Sequence, residues 1–174
     1  MWRGKIFSMA NFLAYLSLRV YIEIGSGYNA CMKKILNSPI ETEEFGWEFA
    51  QTLKTRQDTA TIVALEGNLG SGKTTFVQAV AKALGVKEHL TSPTFVIMKP
   101  YELHNHTFKR LIHVDAYRLK HGEELTRLAW PRYANDPGNI IFIEWPEHVA
   151  DILPADAKKI ALTFIDEHTR GIEL

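Results

Sequence analysis

Residues 67–75 read GNLGSGKTT, one residue after the apolar run ATIVAL and directly before FVQAVAKALG. The stretch meets the pattern G-x-x-x-x-G-K-[ST] at every fixed position, through Gly67, Gly72, Lys73 and Thr74. Leu69, Gly70 and Ser71 lie inside it and Thr75 follows it. Glycines let successive backbone N–H groups turn inward around phosphate oxygens without side-chain clashes. A helix starting here adds unpaired N–H groups and the positive end of its dipole to the same anion. The lysine brings a mobile charge to the β- and γ-phosphates, and the threonine hydroxyl suits a magnesium ion. A buried strand before such a loop and a helix after it make a P-loop nucleotide site, and that requirement constrains the rest of the chain.

The neighbouring segments fit that requirement. Phe45, Phe49 and Leu53 recur every four residues, with acids at Glu41, Glu43 and Glu44, so residues 41–53 read as a helix capped by Ser38 or Thr42. TATIVALEG is β-branched and continuously apolar, as a strand covered on both faces should be. The helix after the loop turns Phe76, Val80 and Leu84 inward and stops at Gly85. TSPTFVIMKPYEL and KRLIHVDAY read as two strands of a hairpin around HNHT, which makes part of the sheet antiparallel. GEELTRLAWPRYANDPG begins as a helix and is broken by Pro131 and the NDPG turn. NIIFIEWPE is a buried strand ending on an acid and stopped by Pro146. KKIALTFIDEHTRGIEL closes the chain as strand, turn and short return strand. The expected fold is one α/β domain, a three-layer P-loop NTPase-type sandwich with a mixed, partly antiparallel central sheet.

Lysine plus arginine equals aspartate plus glutamate, so no overall positive field draws in nucleic acid; RNA, if involved, is held by something else. Cys31 is the only cysteine, which excludes a disulfide framework and fits a reducing cytoplasm. Arg3 and Lys5 precede an apolar stretch over residues 7–18 that Arg19 ends, a pattern resembling a signal peptide. The stretch is shorter than the roughly 20 residues of a membrane span. The preferred reading makes residues 1–31 an extension outside the folded domain and Met32 the functional start, with residues 32–174 as the ATPase domain. An exported nucleotide hydrolase would lose its substrate.

A magnesium-dependent NTPase needs an acid near the metal, at the carboxyl end of a neighbouring strand. Asp115 ends LIHVD and Glu144 ends IIFIE. One would hold magnesium and the other would orient the attacking water; the sequence does not assign the two. Thr94, in SPTF, is a candidate γ-phosphate switch. His104, His106 and His113 read as structural rather than metal-binding, and Arg110, Arg118, Arg127 and Arg132 as solvated surface. Trp145 is a large ring for a strand end and either packs on the nucleotide site or caps the core. No N-K-x-D guanine element is present and no D-x-x-G switch follows Asp115, so ATP is favoured over GTP.

LEGNLGSGKTTFVQAVAKALG, SPTF, HVDAYRL and IEWPE, in this order, resemble the bacterial TsaE (YjeE) family of tRNA threonylcarbamoyladenosine biosynthesis ATPases. The likeness covers about residues 35–174. It implies a weak ATPase using ATP and Mg2+ that works with TsaD and TsaB, which modify tRNA, and that reaches tRNA only through them. It implies no contact with DNA or membrane. By position, Lys73 and Thr74 would hold phosphate and magnesium, and Glu144 would be the metal-side acid. Asp115 would act in catalysis or switching, Thr94 would be the switch threonine, and Trp145 would lie by the nucleotide. Thr42 and Arg170 would border the base. Ala116 and the segment LAWPRYANDPGN depart from the family's usual pattern, which bears on partner contacts rather than on ATP. A small-molecule kinase is the rival reading; it lacks an arginine-rich lid, because the segment between Tyr117 and Ile140 is short. A nucleotide-dependent binding module without relevant hydrolysis is the other.

Overall fold

The computed structural model describes residues 21–23, 31–104 and 106–174. Strands β1 (Tyr21–Glu23) and β2 (Cys31–Leu36) precede helix α1 (Pro39–Thr52). Strand β3 (Thr61–Glu66) runs through the glycine-rich loop into helix α2 (Lys73–Ala83). Strands β4 (Met98–Glu102) and β5 (Arg110–Asp115) follow, then short helices α3 (Gly122–Thr126) and α4 (Trp130–Ala134). Strand β6 (Asn139–Glu144), a 3-10 segment (Pro146–Ile152), β7 (Lys158–Phe164) and β8 (Arg170–Glu173) complete the chain.

The eight strands form one sheet in the order β1-β2-β8-β7-β3-β6-β5-β4. Strand β3 lies parallel to β6 and β7, and β5 parallel to β6, whereas the β4–β5, β7–β8, β2–β8 and β1–β2 pairs are antiparallel. Alternation along each central strand sends side chains to two cores. Val63, Leu65, Leu111, Ile140 and Phe142 pack with Phe45, Phe49, Phe76 and Val80 of α1 and α2. Ile62, Ile112, Val114, Ile141 and Ile143 pack with Leu125, Trp130 and Val149 on the opposite face. The fold is therefore the three-layer α/β sandwich with a mixed sheet that the sequence predicts. Phe76 sits between Phe45 and Phe49, with ring centroids 5.9 and 5.5 Å away, which locks the loop's helix onto α1.

Ser38 is the cap of α1: its hydroxyl accepts from the Glu41 N–H at 3.1 Å, and Pro39 occupies the first turn, where no N–H is needed. The helix therefore begins two residues before the expected start. Helix α2 closes as expected around Gly85, whose N–H donates to Lys82 O while Val86 N–H reaches Ala81 O. Three readings need correction. Residues 92–97 are a turn rather than the start of a strand, because the N–H groups of Val96 and Ile97 both donate to Pro93 O, so pairing begins only at Met98. Pro131 opens α4 in its first turn instead of ending a helix; the break falls before it, at residues 127–129. Strand β2 was not anticipated, and it pairs with the closing strand β8. Residues 21–23 add a short edge strand to β2, while the signal-like stretch of residues 7–18 lies outside the described residues. Among the described residues no helix is long and apolar enough to cross a membrane.

Candidate functional site

The β5–β6 register sets Asp115 directly opposite Glu144, so two carboxylates stand side by side at the ends of adjacent parallel strands. By the two-residue period each shares a face with the core under α2: Glu144 with Ile140 and Phe142, Asp115 with Leu111. Strand β3, next to β6, delivers the glycine-rich loop to the same end of the sheet. Sequence reasoning placed both acids at strand ends; the pairing brings them to the loop.

The loop closes tightly. Gly67 has φ +139°, and a Cβ there would lie 2.2 Å from Leu162 O and 2.8 Å from Ser71 Oγ. Ser71 is buried, and its hydroxyl has no hydrogen-bond partner among the described residues. Gly72 is the residue before α2 and offers no side-chain cap, which leaves the first N–H groups of that helix facing the loop's interior. Lys73 is only 4% exposed. Its ammonium donates to Gly67 O at 2.6 Å and Asn68 O at 3.0 Å, and stands 3.8 Å over the Trp145 ring. Burial pushes Lys73 below the ordinary lysine pKa, against the opposing pull of Glu144, Glu147 and Asp115. A buried ammonium held by two carbonyls is a cation waiting for an anion.

Thr74 donates its hydroxyl to Glu144, at 2.8 Å from Oε1 and 3.0 Å from Oε2. Glu144 is 3% exposed and also meets His113 Nε2 at 2.7 Å. Asp115 accepts from the Ser92 hydroxyl at 3.0 Å and from the Thr94 hydroxyl on Oδ2, and from Tyr117 N–H at 3.1 Å on Oδ1. The 92–97 turn thus presents Thr94 to Asp115, a pairing the sequence did not predict. Among the described residues two non-glycine residues have left-handed backbones, Ile97 at φ 65° and Trp145 at φ 60°. Ile97 O accepts the N–H of Asp115, and Trp145 directly follows Glu144. Trp145 packs with Tyr117 and His148, at centroid distances of 5.1 and 6.2 Å.

The remaining candidates divide. Arg170 flanks the loop: a Cβ on Gly72 would be 3.5 Å from its Nε, and its guanidinium lies 4.6 Å over Phe164. Leu69 and Thr75 are exposed on the loop's rim. Thr42 is buried in the first turn of α1, where its N–H and its hydroxyl both donate to Ser38 O. Arg110 and Arg127 are engaged in surface ion pairs with Glu102 and Glu123. His113 and Ser92 are the site residues that sequence reasoning left out. The available signal for His113 was its position two residues before Asp115, on the same strand face.

Among the described residues no group of three or more His, Cys, Asp or Glu side chains forms a metal cage. Thr74, Glu144 and Asp115 make instead a partial oxygen set. That suits magnesium, which keeps waters and takes phosphate oxygens rather than an all-protein shell. The glycine cradle, the buried ammonium and this oxygen set fit a nucleoside triphosphate with its metal.

Comparison with known proteins gives the family. The family model described as "Threonylcarbamoyl adenosine biosynthesis protein TsaE" matches residues 36–172. The tRNA threonylcarbamoyladenosine biosynthesis protein TsaE of Rickettsia felis is 36% identical over 137 residues, covering 78% of this chain and 75% of that one. Its counterpart from Haemophilus influenzae is 34% identical over 131 residues, covering 75% of this chain and 80% of that one. A crystal structure of Bacillus subtilus YdiB superposes with a TM-score of 0.62 at 26% identity, over 85% of this chain and 86% of that one. With nearly every residue after the first strand pair inside the family match, and the loop and both strand-end acids within it, the chain belongs to the TsaE family of threonylcarbamoyl adenosine biosynthesis proteins.

Proposed function

We propose that this protein is a magnesium-dependent ATPase that supports threonylcarbamoyladenosine modification of tRNA by acting on the TsaB–TsaD pair. The observation that carries the reading is the Thr74–Glu144 hydrogen bond at the mouth of the loop, with Asp115 one strand away. Lys73 would release Gly67 O and Asn68 O to hold the β- and γ-phosphates. Thr74 and Glu144 would hold magnesium, which when bound neutralises the charge that builds on the transferring phosphoryl group. Asp115, held at both oxygens by Ser92, Thr94 and the Tyr117 N–H, would orient the attacking water. Thr94 bonds that same acid and would report on the γ-phosphate. The Trp145 ring, packed against Tyr117 and His148, covers the ammonium on one side. Arg170 would border the nucleotide beside Gly72. An ATP-dependent role in tRNA modification belongs in the cytoplasm.

The membership supports the pathway, and the site supports the chemistry; the TsaB and TsaD partnership rests on the family likeness. The decisive experiment is tRNA modification reconstituted over many turnovers, with and without this protein, alongside calorimetry of ATP binding with magnesium. Sustained modification only in its presence, with ATP consumed, is the expected result. An unchanged yield with the protein omitted would defeat the proposal.

A further inference from the structure

Nothing in the ATPase reading uses His113, yet it is fully buried and touches the metal-side acid. We infer that His113 is a positioning residue that fixes the Glu144 carboxylate toward Thr74 and the metal and keeps it from collapsing onto Lys73. The inference rests on the ATPase proposal for its consequence, though not for its geometry.

His113 stands opposite Phe142 in the β5–β6 pair, so Glu144 is its diagonal neighbour two residues further along, on the same face. Nε2 lies 2.7 Å from Glu144 Oε1. An ionised carboxylate only accepts, so Nε2 carries the proton and donates. Nδ1 is buried without a partner among the described residues, which suits the bare nitrogen of that one tautomer. The Thr74 hydroxyl donates to the same oxygen at 2.8 Å. Two donors on Oε1 fix the plane of the carboxylate, and the Thr74 hydroxyl also lies 3.0 Å from Oε2, so the carboxylate faces Thr74.

The competitor is the adjacent cation: Lys73 directly precedes Thr74, whose hydroxyl touches Glu144. Glu144 exerts the strongest of the three carboxylate attractions on the buried Lys73 ammonium. An ion pair between them would remove the metal-side acid and the phosphate-binding cation together. Thr74 cannot prevent this alone, because its hydroxyl rotates and would itself be recruited to a metal. His113 is rigid, inside the sheet and not exposed to solvent, so it is the donor that persists. Ligating carboxylates are held in this way elsewhere, and loss of such a partner costs about 10- to 100-fold in metal affinity or activity.

The test compares the wild type with His113→Gln, whose amide N–H reaches the place of Nε2, and His113→Leu, which fills the volume without a donor. First, nitrogen NMR of the imidazole in the nucleotide-free protein should show the Nε2–H tautomer; the Nδ1–H form overturns the inference. Second, ATP turnover and calorimetric binding are titrated with magnesium. His113→Leu should require about 10- to 100-fold more magnesium and bind metal-free ATP more weakly, because Glu144 then pairs with Lys73, and His113→Gln should recover most of both losses. A folded His113→Leu protein with the wild-type magnesium requirement overturns the inference, as does an equal loss in both variants, which would make the effect one of packing. If His113→Leu does not fold, the tautomer and the glutamine variant decide. Absence of ATP binding in the wild type would instead defeat the ATPase proposal, a result distinct from any of these.

Discussion

Replacing Gly67 by alanine tests whether the loop's shape is set by how closely its backbone approaches β7. The new Cβ would meet Leu162 O at 2.2 Å and Ser71 Oγ at 2.8 Å, in a backbone at φ +139°. Ordinary contact begins at 3.4 Å, so the loop and β7 must separate by more than an ångström. Left-handed strain of this kind costs about 1–3 kcal/mol, and forced overpacking adds about 1–3 kcal/mol. Gly70→Ala is the matched control. Its φ is +79°, but a Cβ there has nothing within 4 Å, so only the backbone term applies, about 1–2 kcal/mol. The gain from restricting the unfolded chain is common to both variants and cancels. Gly67→Ala should therefore be less stable than Gly70→Ala by about 2 kcal/mol, or about 1 M in urea midpoint at an m-value near 2. Because Gly67 O anchors the Lys73 ammonium at 2.6 Å, it should also lose more ATP affinity by calorimetry. Coincident urea midpoints for the two variants would refute the reasoning.

Lys73→Ala should abolish ATP binding, and normal calorimetric affinity in that variant would contradict the site. Burial holds the Lys73 pKa below its unfolded value, so the unfolded chain keeps the proton longer. Wild-type stability should then rise with pH as it climbs from the folded value toward the ordinary value of about 10.4. Lys73→Met should lack that rise, and urea midpoints measured across the alkaline range would disagree with this if the two proteins stayed parallel. Glu144→Ala should bind ATP but lose magnesium-dependent turnover by about 100-fold or more, as read by phosphate release; unimpaired turnover would remove Glu144 from the metal side. A chain beginning at Met32 should fold and hydrolyse ATP at the full rate, since the family match begins at residue 36. A thermal scan without a cooperative transition would show that the earlier residues belong to the domain.

The loop and the four parallel strands were legible because their sequence signals are local. A phosphate loop demands its own glycines and lysine, and doubly covered strands such as β3 and β6 are continuously apolar. Asp115 and Glu144 were visible as acids closing those runs. What sequence could not supply was register: only pairing shows that the two acids stand opposite one another. The same limit hid His113, whose importance lies across the sheet, in Glu144. Strand β2 was missed because CMKKIL, with two lysines, has no continuous apolar run of its own. Residues 92–97 have strand-like composition, yet Pro93 O captures two successive N–H groups and turns the chain. Pro131 misled because proline ends helices from within and begins them from the first turn, and spacing alone does not separate the two cases.

Ile97 and Trp145 occupy the two corners where glycine or asparagine would sit most comfortably. One corner is bonded to Asp115 and the other carries Glu144 into the 3-10 segment, so the tension in the fold is concentrated beside its two acids. Relaxing either corner would tilt the end of a strand, and with it a carboxylate, for a gain in stability of about 1–3 kcal/mol. The protein is therefore spring-loaded where it handles charge, and the easiest route to a hardier variant runs through residues whose relief would blunt it.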